Sequence, residues 1–460
     1  MSKKYLQKFK SIVISVFMIA ISAVLITQVQ AHAASTVPGV NNLVSVNGVN
    51  GQGGNGESRT CGISGDGNTI LFTSRATNLP ISNASAINQL YLRDVATGTT
   101  TRVDVSTSGV LANDTTSCGV MSRTGRYAVF VSKATNLIDG TTTPIYKPYL
   151  RDIQAGTTSL INVGSAGMTV GISAISDDGR YLTGNATNAY GTVSGITRNG
   201  YTDPVVLDTT TGTWTALDIP ATGSMQSVYS YARSTSCDGS LIVFDSPATN
   251  IVPGQTGSGS HVFLADIRNG LKVTDITPGA TLDSTLPYIS CNGQYIVYSS
   301  KARNIVSPTP SGVDSYYHLV RYDRIKGTSS YVDSDSSNTN FNPDHSSIFA
   351  SGFFAAVSDS GDVVLPFATS AGFGNYNRYI YLKHLSDGSG TLEHVQKNAS
   401  AYVPLVYDNS TPSVTFYISA DGKYATFATQ SSQSLGLTDG SVLDGNGNPY
   451  FDVIRTKTGL

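Results

Sequence analysis

One short stretch of this chain has the makings of a metal site: Asp444, Asn446, Asn448 and Asp452, within the run Asp-Gly-Asn-Gly-Asn-Pro-Tyr-Phe-Asp. Their side-chain oxygens stand at positions 1, 3, 5 and 9 of that run. Ca²⁺ takes about six to eight hard oxygen ligands, which alternate residues of such a loop can turn inward. Asp439 offers one more. Only Asp444 and Asp452 of the four are charged, and Pro449 interrupts the run, so an ordinary Asn/Gly turn competes. A bound ion would pin the loop rather than carry out a reaction. Elsewhere the chemistry is sparse. His261, His318, His345, His384 and His394 form no metal-binding pair at helical spacing. No Gly-x-Ser-x-Gly elbow and no phosphate-binding loop occurs.

Four cysteines, Cys61, Cys118, Cys237 and Cys291, have none of the spacings of a zinc site. Two disulfides suit an exported chain, and buried free thiols are the alternative. Export is expected from the N-terminus. Lys3, Lys4, Lys8 and Lys10 precede an apolar run at 11–27, and Ala31-His32-Ala33 follows. That is the pattern of a signal peptide over residues 1–34. An uncleaved anchor is the alternative, and would give the protein its only membrane contact. Of 460 residues, 13% are charged and the formal net charge is -2. No basic patch suits nucleic acid.

The rest of the chain is built from a repeat. The turn Ser-x-x-Gly recurs at Ser64, Ser122, Ser176, Ser236, Ser290, Ser358 and Ser419, with intervals of 58, 54, 60, 54, 68 and 61 residues. Glycine accepts positive φ, and the Asp or Asn that usually precedes it folds back on the backbone. A short apolar strand follows each turn. Variants of Ala-Thr-Asn come next, as at Ala76-Thr77-Asn78 and Ala134-Thr135-Asn136, and then a variable loop. A third strand leads to a second turn, Asp-x-x-x-Gly, at Asp94, Asp152, Asp208, Asp266 and Asp323. The fixed offset to glycine makes these acids turn caps rather than a ring of ligands.

Four antiparallel strands repeated seven times specify an all-β, seven-bladed propeller over residues 35–460. The blades fall near 55–107, 112–163, 168–220, 228–277, 284–334, 350–398 and 412–459. The seventh lacks a fourth strand. Residues 41–49 read like one and are expected to close the ring, removing an exposed sheet edge. Gly184 and Pro366 predict irregular second strands in blades three and six. The cysteines pair off by blade: Cys61 with Cys118 in blades one and two, Cys237 with Cys291 in blades four and five. Equivalent turns can lie beyond the ~7 Å reach of a bridge, so the pairing stays open.

These repeats resemble the TolB-like, WD-like propeller repeats of secreted bacterial proteins. Blade two carries the likeness most fully, in Ser122-Arg123-Thr124-Gly125-Arg126-Tyr127, Ala134-Thr135-Asn136-Leu137 and Leu150-Arg151-Asp152. The resemblance implies architecture; propellers of this kind dock proteins, bind sugars or catalyse. The run from Asp444 likewise resembles the calcium-binding hairpin loops of integrin-type propellers. Long variable loops carry or adjoin Tyr146, Tyr149, Tyr190, Tyr201, Tyr316, Tyr317 and Tyr376, with Tyr379 beside them. Tyrosine suits protein or sugar recognition; alternatively these rings cover the sheet ends. The first functional reading is a secreted or envelope-associated, monomeric binding or scaffold module, meeting a protein or glycan through its loop face. The alternative is a carbohydrate-active enzyme resembling a polyuronide lyase, with His318 and His384 converging at the channel mouth.

Overall fold

The serine of each turn is buried in every repeat, at 2% exposure or less. In the first copy, Ser64 N–H donates to Thr69 O at 2.8 Å, and Gly67 N–H donates to Ser64 O at 3.0 Å. The Ser64 hydroxyl accepts from Thr69 N at 2.9 Å and donates to Asp66. One short side chain therefore satisfies both strand ends at the turn, which a buried backbone requires. Six of the seven serines pair with the fifth residue onward. Ser358 pairs with the fourth, Asp362, so blade six turns one residue tighter.

The glycine serves a second purpose. Gly239 has φ +71°, and a Cβ there would lie 2.7 Å from both Ser176 Cβ and Tyr181 Cδ2 of the preceding blade. Gly67 meets Tyr424 in the same way. At five turns the residue that opens a second strand (Tyr127, Tyr181, Leu241, Tyr295 or Tyr424) thus seats on the next blade's turn within 3 Å of where a Cβ would stand, and glycine leaves the room.

The computed structural model describes residues 41–47, 51–81, 85–140, 142–163, 169–187, 190–193, 196–268, 270–307, 317–333, 355–371, 375–385, 392–394, 416–429, 437 and 450–458. The expected signal segment lies outside them. Seven four-stranded antiparallel sheets form a seven-bladed propeller, with no helix among the described residues. Blade one comprises Ser58–Ile63, Thr69–Ser74, Gln89–Asp94 and Thr99–Arg102, paired in that order. Blade three adds a hairpin, Tyr190–Val193 with Ile196–Asn199, between its second and third strands. The second strands of blades three and six run unbroken through Gly184 and Pro366, as Tyr181–Thr187 and Val363–Ala371. In blade three the irregularity falls in the pairing, whose register shifts between Ile172 and Ala174, opposite Gly184 and Thr183; in blade six it falls in the tight turn.

Blade seven is Phe416–Ile418, Tyr424–Thr429 and Asp452–Lys457, completed by Asn41–Leu43. Asn41 pairs with Thr456 and Leu43 with Ile454. Leu43, Val44 and Val46 are fully buried, and the Ser45 hydroxyl donates to Asp452 Oδ1 at 2.8 Å. The first described strand therefore closes the ring.

The core lies between blades, because a single sheet cannot cover its own faces. Leu71, Leu90 and Leu92 of blade one pack with Ala128, Phe130 and Tyr149 of blade two. Cross-strand pairs Phe72–Tyr91, Phe130–Tyr149 and Phe244–Phe263 stack with centroids 5.1–5.6 Å apart.

Candidate functional site

Antiparallel strands put the serine turns and the Asp-x-x-x-Gly turns at one end of the propeller. The variable loops and the connections between blades leave at the other. At the loop end, the Ala-Thr-Asn motif is consumed by structure. Ala76, Ala134, Ala248 and Ala302 are buried, and each N–H donates to the serine hydroxyl two residues earlier at 3.0–3.1 Å. Thr77 N–H donates to Asn55 Oδ1 at 2.7 Å, and Thr135 N–H to Asn113 Oδ1 at 3.0 Å. Asn136, Asn250 and Asn304 donate to carbonyls of the incoming connection. The motif clamps each blade's entry segment to its own second strand.

At the turn end, the blades are joined by main chain. The residue after the turn serine donates its N–H to the equivalent carbonyl one blade on: Gly65 to Arg123, Asp177 to Cys237, Cys237 to Cys291, Asp359 to Ala420 and Ala420 to Gly65, at 2.6–2.9 Å. At the other two junctions the receiving residue is an aspartate. Thr124 N–H donates to Asp177 Oδ1 at 3.1 Å, and Asn292 N–H to Asp359 Oδ1 at 2.8 Å. Their side chains donate to the carbonyls of the same aspartates. A hydrogen-bonded ring thus runs around all seven junctions. Disulfides Cys237–Cys291 and Cys61–Cys118 join adjacent blades beside it, with Cα–Cα distances of 4.6 and 5.5 Å.

The ring encircles a narrow channel. Its cavity of about 80 Å³ is bordered by Cys61, Met121, Arg123, Arg233, Tyr288 and Tyr417, among others. Ligand sites for small molecules run to roughly 300–1,000 Å³, so this space suits a few waters and not a sugar chain. Its cations are engaged. Arg123 reaches across to donate to Ile418 O and to the Tyr288 hydroxyl. Arg233 donates to both carboxylate oxygens of Asp245, at 2.6 and 3.2 Å, and lies 4.6 Å over the Tyr231 ring. Burial pushes the Tyr417 hydroxyl up to about 12, so it stays neutral at ordinary pH.

The recurring third-strand acids do cap turns. Asp94 Oδ1 accepts from Thr97 N, Asp152 Oδ1 from Ala155 N and Asp208 Oδ1 from Thr210 N. Arg126 and Arg180 bind Asp152 and Asp208 at 2.7 and 2.8 Å, and those hydrogen bonds hold both carboxyls below the usual range.

Among the described residues, His318 and His384 do not converge as a lyase site would need. His318 opens the third strand of blade five, His318–Asp323, at the loop end. His384 follows the third strand of blade six, Asn375–Lys383, at the turn end. Equivalent strands at opposite ends separate them by roughly 20 Å at ~3.3 Å per residue. The His318 ring is 2% exposed, with Nδ1 2.7 Å from buried Asp333 Oδ2. His261 and Asp275 repeat this pair in blade four at 2.8 Å. Among the described residues, the metal-capable trio is Asp177 with Cys237 and Cys291, and both sulfurs are spent in the disulfide.

Of the proposed calcium ligands, Asp444, Asn446 and Asn448 lie outside the described residues, as does Asp439. Asp452 is buried in a strand and holds Ser45 of the closing segment, so its carboxylate serves closure. The tyrosines divide. Tyr146 is half exposed, with Lys133 Nζ 4.8 Å above its ring. Tyr201 meets exposed Tyr229 edge to face at 5.0 Å. Tyr149 is fully buried against Phe130, and Tyr317 is buried beneath Lys301. Both belong to the packing and not to a binding surface, because each falls at the start of a third strand where the ring turns inward. Tyr316 and the side chains of Tyr190 and Tyr376 lie outside what is described. Sequence reasoning missed the cross-channel Arg123 and a second cavity of about 320 Å³ between blades three and four.

No family model and no curated protein sequence matches the chain. Solved structures do. TolB from Acinetobacter baumannii is 17% identical over 75% of this chain and 65% of that one, with a TM-score of 0.38. The alignment thus spans less than two thirds of that protein. A putative TolB from Agrobacterium tumefaciens is 21% identical, covering 60% of this chain and 79% of that one, with a TM-score of 0.34. An oligogalacturonate lyase from Vibrio parahaemolyticus is 10% identical over 92% of this chain and 98% of that one, with a TM-score of 0.52. At that identity the likeness to the lyase is one of fold: this chain shares its β-propeller architecture.

Proposed function

We propose that this protein is a rigid, monomeric, extracytoplasmic binding module of the TolB-like repeat kind, which engages a partner of the cell envelope through its loop end. The observation that carries this reading is the placement of exposed apolar side chains. Among the described residues, five of the eight large exposed hydrophobics lie in loops or connections of that end: Leu111, Ile145, Tyr146, Tyr229 and Leu282. An end that carries exposed apolar side chains is the candidate interaction surface. Its mix of aliphatic residues with tyrosine favours a protein over a glycan. Two disulfides support an oxidising compartment. The lyase alternative draws no support from His318 and His384, which stand at opposite ends of their blades.

The test is binding of the mature protein to a panel of purified envelope proteins and glycans, by biolayer interferometry. Ile145→Ser with Tyr146→Ala and Tyr229→Ala should abolish the interaction while shifting stability by less than ~0.5 kcal/mol per site, as surface changes do. Undiminished binding by this variant would remove the loop end from consideration.

A further inference from the structure

The repeat makes visible one junction that departs from the others. Two residues before the third-strand turn position, a side chain faces the next blade. Cross-strand registers align this row: Leu71 with Leu92, Val129 with Leu150, Thr183 with Val206, Val243 with Leu264, Val297 with Arg321 and Thr426 with Arg455. Arg321 donates to Gly361 O of the following blade at 2.8 Å, and Arg455 to Gly67 O at 2.6 Å. Leucines fill the same place in blades one, two and four. Val206, in blade three, is the smallest of the six.

A second departure faces it. After the glycine of the second turn, blades one, two, three and five have Thr99, Thr157, Thr213 and Thr328, whereas blade four has Leu271. Both changes meet at the junction of blades three and four, and there the 320 Å³ cavity opens. Its size is that of a small-molecule site.

The lining is of two kinds. Val206, Ile267 and Leu271 give an apolar floor, continued by the Tyr181 ring. Beside Val206, on the same face of blade three, stand its cross-strand partner Thr215 and then Thr213, alternate residues of the strand Thr213–Ala216, with Thr211 in the adjoining turn; Ile267 and Leu271 of blade four face them. The Thr213 and Thr215 hydroxyls can each donate and accept, whereas that of Thr211 serves the turn, accepting from Thr213 N at 3.3 Å and donating to Asp208 O at 3.5 Å. The charge at the rim is matched: Asp208 Oδ2 is 2.8 Å from Arg180 Nη2, and Arg180 lies 4.8 Å over the Tyr181 ring. An uncharged molecule with one apolar C–H face and hydroxyls on its edge complements this lining.

We propose that the cleft between blades three and four, at the turn end, binds a neutral saccharide: its C–H face lies on Ile267 and Leu271 of blade four, and its hydroxyls meet Thr213 and Thr215 in the space that the small Val206 leaves. This site is distinct from the loop end and does not depend on it.

The probes are cellobiose, maltose and lactose, titrated into the full protein by ligand-observed NMR and calorimetry. At least one should bind. Val206→Leu, which installs the residue of blades one, two and four, should weaken it about tenfold or more (~1.4 kcal/mol). Thr213→Ala with Thr215→Ala should do the same from a solvent-facing strand, and keeps the test valid if the leucine disturbs packing. Tyr146→Ala with Tyr229→Ala should leave sugar binding intact, which separates this site from the loop-end reading. Three outcomes overturn the proposal: none of the sugars binds, Val206→Leu leaves binding unchanged, or the cleft takes a peptide along Thr213–Ala216 while excluding sugars.

Discussion

At the turn end of the propeller, seven buried serines, their glycines and a ring of main-chain bonds repeat one solution around the axis. At the loop end, the same strands emerge into segments that differ in length and composition from blade to blade. There the Ala-Thr-Asn clamp and a buried hydroxyl pair between first and second strands, as in Ser58–Ser74 and Ser230–Ser246, recur, and among the described residues five large apolar side chains stand in solvent. The contrast shows where sequence freedom lies. A turn that must seat against its neighbour has one residue type for each role. A loop anchored at its base by a clamp can carry any tip. Binding chemistry is therefore expected where the repeat is broken or absent: along the loops, and at the junction where Val206 and Leu271 replace the residues of the other described blades.

The comparison breaks if closure is dispensable. Deleting residues 41–47 exposes the partners of Leu43, Val44 and Val46, each fully buried. At ~1.5–3 kcal/mol for each buried apolar side chain, the loss is roughly 5 kcal/mol or more. Thermal unfolding by circular dichroism should show a large drop in midpoint; an unchanged midpoint would mean that blade seven does not need this strand.

A finer cut compares two glycines of nearly equal φ. Gly239 has φ +71° and touches the preceding blade, whereas Gly156 has φ +70° with nothing within 4 Å of a built Cβ. Gly156→Ala should cost ~1–2 kcal/mol for left-handed backbone. Gly239→Ala adds overpacking against Tyr181 and Ser176, for a total of about 2–5 kcal/mol. Equal costs in chemical denaturation would show that interblade seating contributes nothing.

The smallest effect concerns the exposed pair Arg180–Asp208. The arginine depresses the folded carboxyl below its unfolded value near ~3.9, so the stabilisation is fully present above that value. It is lost as pH falls through the folded pKa. Melting temperature should therefore fall slightly more steeply below about pH 4 in the native protein than in Arg180→Gln. Identical acid profiles would remove this pair from the stability of the turn end.

Much of this was legible in one dimension. Ser64 and its six counterparts announce a turn because serine, Asx and glycine have local roles that spacing reveals. Ring closure was readable because residues 42–48 look like a fourth strand with no other place to go. The ring of junction hydrogen bonds was not: Gly65, Arg123, Asp177, Cys237, Cys291, Asp359 and Ala420 share no side-chain property, since five junctions use the backbone alone and two use the carboxylates of Asp177 and Asp359. Tyr149 and Tyr317 sit beside loops in sequence but turn into the packing, because strand register decides which way a ring points. His318 and His384 shared a strand number and not a strand end.

The sequence alone determined the number of blades, the four-strand unit and how the ring closes, because each follows from turn chemistry repeated at a fixed period. Tertiary structure alone decided which residues face a neighbour and with what space between them. Val206 is an ordinary strand valine until register sets it in the place that Leu92, Leu150, Leu264, Arg321 and Arg455 hold in other blades; only then does its missing bulk become a cleft.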